Sequence, residues 1–235
     1  MFGSTIEAGE RGVWRRAATL QDLGDLTARW LSGELHSQPG YYGPVDIDQD
    51  DAPAIGDGLR ALCRAGMVTI SSQAGWEGPG VGDKHVRQIP AVEGFATRDT
   101  LQTLRRRLPG WVLVHEADPV RRLGARDPGV PVTFLDGDPF TVFGGSFSRA
   151  DFRLQWHGAG ARAVRQVRAA RLVTFTDPGW SPARNGGEQP ETDLWQVLLT
   201  AARQAGSEPG PGTADRWQRP VREITGMTQP EGWTR

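Results

Sequence analysis

The segment MVTISSQAGWEGPGVGDKHVRQIPAV, residues 67–92, indicates the fold because two strand-like runs flank a glycine-rich stretch. MVTISS is rich in β-branched residues and predicts a buried strand. HVRQIPAV predicts a second strand that returns beside it, with Pro90 favouring an edge position because proline cannot donate a backbone hydrogen bond. The segment therefore predicts a β-hairpin with a long tip.

The tip of this hairpin resembles a nucleotide-binding loop only in part. Its glycines are Gly75, Gly78, Gly80 and Gly82. A Rossmann turn requires glycine where His85 stands, and a P-loop requires Ser or Thr directly after Lys84. Two interpretations stay open: a mobile lid, or a flexible connection that only returns the chain.

Helices and further strands alternate irregularly around the hairpin. Apolar residues at helical spacing predict helices within residues 20–35, 51–65, 98–108, 148–169 and 191–205. Thr19 is a typical N-cap for the first of these helices, and Thr97 or Asp99 for the third. Strands are predicted at WVLVHE (111–116), RLVTFT (171–176) and PVTFLDGDPFTVF (131–143), where Asp136-Gly137 is typical of a tight hairpin turn. This order predicts an α+β protein with a mixed, largely antiparallel sheet flanked by helices in a single domain. We expect an N-terminal extension (1–18), the domain (19–205) and a Pro/Gly-rich tail (206–235).

Composition limits the classes of function. The chain has 235 residues and a formal net charge of −1, so no global field attracts nucleic acid, which is an unlikely partner. No run approaches the roughly 20 apolar residues of a membrane span, and we expect no membrane partner. Cys63 is the only cysteine, which excludes an intrachain disulfide and favours a cytoplasmic location.

Polar residues at the end of the first strand are the first candidates for binding. Ser71, Ser72 and Gln73 follow an apolar run, where the sheet would hold their side chains near solvent. The Gln73 amide both donates and accepts, which suits an amide or a nucleobase edge, and a serine suits phosphate. The alternative is that these side chains only cap the strand backbone.

Two aromatic loops offer further ligand contacts. Tyr41 and Tyr42 lie in Pro-Gly-Tyr-Tyr-Gly-Pro and would cover a ring, or else pack beneath the linker. Trp180 and Arg184 follow a strand at Asp-Pro-Gly-Trp and predict a second rim of the site. The alternative there is an ordinary turn with Trp180 buried.

Glu93 and His115 are the candidates for acid–base catalysis. Each lies at the end of a predicted strand, and a carboxylate beside an imidazole can exchange protons with a ligand. The four histidines lack metal-binding spacing, so we expect neither a metal nor a cofactor.

Two hypotheses of function follow. The first is a protein that binds a small polar, nucleotide-like ligand, with hydrolase or transferase activity independent of metal. The alternative is a protein-interaction or accessory factor of the phage or mobile-element type, without catalysis. Exposed aromatic anchors would serve such an interface, and the candidates are Trp76, Trp180, Trp217 and Trp233.

Several ordered blocks resemble one protein family. They are LQDLGDLTARWLSGEL, SQPGYYGPVDID, LRALCRAGMVTISSQAG, IPAVEGFA, VTFTDPGWSPARN and DLWQVLL, and together they span most of residues 19–205. They are similar to an actinobacterial family of unknown function that is common in Streptomyces. The resemblance implies no particular reaction. Lys84 is the sole lysine against many arginines, which fits the GC-rich coding typical of such a source.

Overall fold

The computed structural model describes residues 6–40, 53–80, 83–121, 127–185 and 193–206. The helices are α1 (Arg11–Arg16), α2 (Leu20–Leu31), α3 (Pro53–Arg64), α4 (Arg98–Arg105), α5 (Arg149–Gln155), α6 (Ala161–Ala169), α7 (Pro182–Asn185) and α8 (Leu194–Gly206). The strands are β1 (Met67–Gln73), β2 (Trp76–Pro79), β3 (His85–Gln88), β4 (Ala91–Ala96), β5 (Leu113–Ala117), β6 (Val130–Leu135), β7 (Asp138–Phe143) and β8 (Arg171–Thr176). The predicted α+β class is confirmed.

The strands form two four-stranded sheets rather than the single sheet expected. Sheet one has the order β1-β4-β8-β5, and sheet two has the order β2-β3-β6-β7. Neighbouring strands within each sheet run antiparallel. An antiparallel pairing lets one hairpin continue across both sheets.

The hairpin predicted from residues 67–92 is the element that joins the sheets. Its base is the β1–β4 pair in sheet one, and its distal half is the β2–β3 pair in sheet two. The chain bends between β3 and β4 at Ile89-Pro90, so Pro90 lies at a junction and not on the edge strand that the sequence favoured. The Pro90 carbonyl accepts a hydrogen bond from Thr176 Oγ1 at 2.9 Å. The hairpin is confirmed, and the position of Pro90 is corrected.

Local turn and cap signals were reliable. Asp136 and Gly137 adopt φ of 51° and 91° between β6 and β7, as the predicted two-residue turn requires. Thr19 caps α2 in a reciprocal capping box with Asp22, and Thr97 caps α4. These elements form where sequence predicts them because each signal acts within a few residues.

The main hydrophobic core lies between sheet one and the helices. Phe95 of β4 is fully buried, and its ring lies 6.4 Å from Phe152 and 5.6 Å from Trp156. Ile6 and Trp14, which precede the predicted domain, belong to the same core. The division of the chain into extension, domain and tail stays a prediction.

A second, smaller core supports sheet two. It comprises the buried residues Ile89, Ala91, Val132 and Trp180, with Phe143 packed against them. Within the described ranges, no helix combines the length and apolar character that a bilayer crossing requires.

Candidate functional site

A row of polar residues crosses sheet one. The register places Ser71 of β1 opposite Glu93 of β4, Glu93 opposite Thr174 of β8, and Thr174 opposite His115 of β5. Residues directly opposite one another in antiparallel strands project from the same face. Two strand spacings of about 4.8 Å place the Cα atoms of Glu93 and His115 about 10 Å apart. We call Glu93, Thr174 and His115 the polar row.

Glu93 is a buried carboxyl that accepts one hydrogen bond from the described part of the chain. It is 7% exposed, and one carboxyl oxygen accepts a hydrogen bond from the backbone N–H of Gly144. Burial raises the pKa of Glu93 to about 7, although the Gly144 hydrogen bond acts in the opposite direction. Glu93 therefore changes protonation near neutral pH, where a general acid or base is most effective.

The other two members of the polar row carry polar atoms that form no hydrogen bond with the described residues. Thr174 is fully buried, and its Oγ1 has no hydrogen-bond partner among the residues described. His115 Nε2 lies 3.3 Å from Asp127 Oδ1, which permits an ion pair, but the described part of the chain gives this nitrogen no hydrogen bond. Buried polar atoms without partners are rare in proteins and indicate a bound water, a ligand or a chemical role.

Gly144 holds the chain directly above the polar row. It has a φ of 81°, and a Cβ there would lie 2.6 Å from His115 Cδ2 and 2.9 Å from Thr174 Oγ1. Both the backbone conformation and the lack of space require glycine. Gly144 thus lies between the carboxyl and the imidazole and contacts all three members of the row.

The segment that carries Gly144 is fastened to the chain beyond β5. Ser146 Oγ donates to the Asp118 carbonyl at 2.6 Å, and Phe147 exchanges backbone hydrogen bonds with Pro119 and Arg121. These contacts hold residues 144–147 across sheet one as β7 leads into α5. We call residues 144–147 the cover, because these hydrogen bonds hold them over the polar row.

The row opens to solvent at its His115 end. The side chains of His115 and Asp127 are 25% and 27% exposed, and Gly145 is exposed beside them. Asp127 Oδ1 also accepts the Gly129 N–H at 3.1 Å, which orients the carboxylate.

Gln73 forms hydrogen bonds within the protein. Its Nε2 donates to the carbonyls of Ile89 and Val132, both at 2.8 Å, and its Oε1 accepts from Thr133 Oγ1 at 3.2 Å. These bonds join β1 to β6 where the two sheets meet. Both amide N–H groups are used, so one acceptor position on Oε1 is what Gln73 offers a ligand in this arrangement.

The two predicted serines do not lie together. Ser71 is half-buried opposite Glu93, whereas Ser72 is exposed opposite Val92. Successive residues of a strand project from opposite faces, so only Ser71 shares the face of Glu93. The structure therefore places Ser71, and not Ser72, beside the polar row.

The predicted aromatic contacts lie elsewhere or outside the described residues. Trp180 is 5% exposed in the small core, and its carbonyl accepts from Arg87 at 2.8 Å. Arg184 belongs to α7, but its side chain lies outside the described part, as do Tyr41 and Tyr42. The glycine stretch includes Gly75, which lies against the Trp180 indole, and β2, which pairs with β3.

Three residues of the site were not anticipated from the sequence: Thr174, Gly144 and Asp127. Thr174 lies inside the predicted strand RLVTFT, where nothing distinguishes it from Thr176. The Gly144-Gly145 pair directly after a strand was a signal of close backbone approach. Asp127 follows residues outside the described part, and the sequence offers no sign of its contact with His115.

The described ranges contain no group of three or more His, Cys, Asp or Glu side chains arranged to hold a metal. The Cys63 thiol is buried beside Thr69 Oγ1 at 3.3 Å. Burial raises its pKa to about 11, which keeps it protonated.

Comparison with known families matches residues 9–205 to the model described as "Domain of unknown function (DUF6919)". The chain belongs to the DUF6919 family. The match covers the polar row and both sheets, so the site described here lies within the family domain. A search of curated proteins finds no match.

Proposed function

We propose that the protein binds a small polar ligand at the polar row and exchanges a proton with it through Glu93. The observation that carries this proposal is the coincidence of a buried carboxyl titrating near neutral pH with a fully buried hydroxyl, Thr174 Oγ1, that has no partner among the described residues. A polar ligand would supply the missing partner of Thr174 Oγ1 beside the contact between His115 Nε2 and Asp127. Titratable groups shifted toward neutrality cluster at functional sites.

The residues of the row suit different parts of such a reaction. Glu93 acts as general acid or base because both of its protonation states are accessible near pH 7. Asp127 orients His115 from the open end of the row. Thr174 Oγ1 donates to or accepts from the ligand, since a hydroxyl can do either. Hydrolysis or group transfer on the bound ligand is the class of reaction that fits these groups.

The nucleotide-like character of the ligand has weaker support. It depended on recognition of a base edge by Gln73, whose amide is engaged between the sheets. A ligand with hydroxyl or amide groups meets the requirements of the row without that contact. Nucleosides and nucleotides remain one class to be tested among others.

A ligand screen by thermal unfolding tests the proposal. Nucleosides, nucleotides, sugars and amino acids would be added at millimolar concentration to the wild type, Glu93→Gln, His115→Asn and the exposed control Glu34→Gln. A ligand at 100 times its dissociation constant stabilises a protein by about 2.7 kcal/mol, or roughly 5–10 °C for a domain of this size. We expect stabilisation of the wild type and Glu34→Gln, with loss of the effect in Glu93→Gln and His115→Asn.

A ligand that stabilises all four proteins equally would place binding elsewhere. If no compound of any class stabilised the wild type, the proposal would be refuted. NMR spectra of a binding compound, recorded over hours with wild type and Glu93→Gln, would then detect hydrolysis or transfer that depends on the carboxyl.

A second candidate function, that of a noncatalytic interaction protein, is favoured by the edges of sheet two. Phe140 and Val142 of edge strand β7 are 66% and 44% exposed, and Trp76 of the opposite edge is 45% exposed. Exposed apolar residues on an edge strand can pair with a partner segment. A stoichiometric partner captured by the wild type but not by Phe140→Ser/Val142→Thr would support this alternative.

We also propose an actinobacterial source and a cytoplasmic location. The first is supported by the sole lysine, Lys84, among 27 basic residues. The second is supported by the single, buried Cys63. Both depend on composition.

A further inference from the structure

A second polar feature lies away from the polar row, at the junction of α1 with the α5–α6 turn. A cavity of about 320 Å³, which we call the cleft, is lined there by Arg11, Arg15, His157 and Gly158. Two of these residues come from the helix near the N-terminus and two from the turn after α5. None of them belongs to the polar row or its cover.

The two arginines bring like charges together, and the described residues place no carboxylate in an ion pair with either of them. Arg11 and Arg15 are four residues apart on α1, so their side chains share one face of the helix. Like charges at this spacing destabilise a helix by roughly 0.2–0.5 kcal/mol. Among the described residues, neither forms an ion pair with an acidic side chain. Arg11 donates through Nε to the Ile6 carbonyl at 3.3 Å, which leaves its terminal nitrogens available.

Glu10, the acidic residue at the N-cap of α1, already forms hydrogen bonds with another part of the chain. Glu10 accepts the backbone N–H groups of His36 at 2.8 Å and Ser37 at 3.0 Å, and the Ser37 hydroxyl at 2.6 Å. Burial alone would raise the pKa of Glu10. Together, these hydrogen bonds outweigh the effect of burial, so the pKa of Glu10 is lowered. The Glu10 carboxylate therefore stabilises the 36–37 backbone and does not neutralise the arginines.

The backbone around the cleft is fixed by buried contacts. Trp14, between the two arginines, is fully buried and donates through Nε1 to the Ser37 carbonyl at 3.1 Å. The Gly160 N–H donates to the Trp14 carbonyl at 2.9 Å, which fixes α1 against the turn that carries His157. The side chains of Arg11, Arg15 and His157 are exposed, so the fold brings these three groups to one surface where a ligand can reach them.

We infer that this cleft binds the phosphate group of a small phosphorylated molecule. Guanidinium groups match the geometry of phosphate oxygens and bind them through paired hydrogen bonds, and an imidazole adds a further donor. The volume of about 320 Å³ exceeds that of a phosphate alone and lies at the small end of ligand pockets. A phosphomonoester of sugar size fits both the charge and the volume.

Isothermal titration calorimetry tests this inference with inorganic phosphate and ribose 5-phosphate as probes, at constant ionic strength set with chloride. We expect 1:1 saturable binding of both probes to the wild type, with ribose 5-phosphate tighter. Arg15→Gln and Arg11→Gln/Arg15→Gln should weaken binding at least tenfold. The matched control is Arg98→Gln/Arg106→Gln, which removes two exposed arginines, at the first residue and at the C-cap of α4, and should bind like the wild type.

Circular dichroism of each variant tests whether it is folded. If loss of the Arg11 hydrogen bond to Ile6 unfolds the double variant, the single variant Arg15→Gln alone tests the inference. Equal affinities in the wild type and Arg15→Gln, or absence of saturable binding by the wild type, would overturn the inference. Preferential binding of a single-stranded oligonucleotide, with a steep salt dependence, would also overturn it in favour of a nucleic-acid surface. Because the cleft and the polar row share no residue, these results are independent of the ligand screen.

Discussion

Two polar clusters lie only two residues apart along the β1–β4 pair, and they differ in how completely their hydrogen bonds are satisfied. At the sheet junction, the Gln73 amide donates both of its N–H groups to carbonyls and accepts one hydrogen bond at Oε1. In the polar row, Thr174 Oγ1 has no partner within the described residues, His115 Nε2 has the 3.3 Å contact with Asp127 but no hydrogen bond there, and Glu93 accepts one hydrogen bond.

The comparison separates structural from functional polarity. A satisfied network stabilises the fold and specifies how the sheets join, whereas an unsatisfied buried group destabilises it unless a ligand completes it. The four predictions that follow test whether the two clusters differ in this way, from the largest expected effect to the smallest.

Gln73→Ala should destabilise the protein by about 3–4 kcal/mol, because it removes three hydrogen bonds and leaves the Ile89 carbonyl and the Thr133 hydroxyl without the amide, while the Val132 carbonyl keeps only the Ile89 N–H. Urea unfolding measures the change. The neighbouring exposed Ser72→Ala is the control and should change stability by less than about 0.5 kcal/mol. A small effect of Gln73→Ala would remove the distinction between the clusters.

Glu93 should make stability depend on pH. Its folded pKa of about 7 lies above the ordinary value of 4.5, so the folded state binds the proton more tightly. The resulting stabilisation is complete below about pH 4.5 and is lost as the pH rises through about 7, an effect of about 3 kcal/mol. Unfolding free energies of wild type and Glu93→Gln at pH 5 to 8 test this, and the wild type should lose most of that amount relative to the variant. Parallel pH profiles would show that Glu93 is not perturbed.

Gly144→Ala should cost about 2 kcal/mol, because alanine is strained at a φ of 81° and its Cβ would contact His115 and Thr174. Gly145→Ala is a close control, since its Cβ would meet only the Asp127 carbonyl oxygen at 3.8 Å. Thermal and urea unfolding compare the two variants. Equal stabilities would show that Gly144 does not pack closely against His115 and Thr174.

Thr174→Val and Thr176→Val compare two buried hydroxyls on the same strand. Thr176 Oγ1 donates to the Pro90 carbonyl at 2.9 Å, so its loss should cost about 1 kcal/mol. Thr174 Oγ1 has no partner among the described residues, and valine there should be neutral or stabilising. A larger loss of stability for Thr174→Val than for Thr176→Val would mean that Thr174 Oγ1 already has a hydrogen-bond partner.

Local signals made much of the fold predictable. The Asp136-Gly137 turn, the Thr19 and Thr97 caps and the α+β class all depend on residues close in sequence. The division into two sheets was not predictable, because the bend at Ile89-Pro90 resembles an edge signal until the partners of both halves are known.

The candidate site was predictable only in part, for the same reason. Glu93 and His115 were identified by residue type, but their alignment depends on β8 lying between β4 and β5, far along the chain. The hydrogen bonds of Gln73 were not predictable, because its partners Val132 and Thr133 lie about 60 residues away in sequence and come together with it only on folding. Sequence alone therefore identified candidate groups without showing which were already satisfied.

The pKa of Glu93 measured by carbon-13 NMR tests the central claim most directly. Titration of labelled glutamate carboxyls in the full chain, with Glu93→Gln to assign the resonance, separates this group from the other glutamates. The account predicts one carboxyl that titrates near pH 7. Titration of Glu93 near the ordinary value of 4.5 would contradict it.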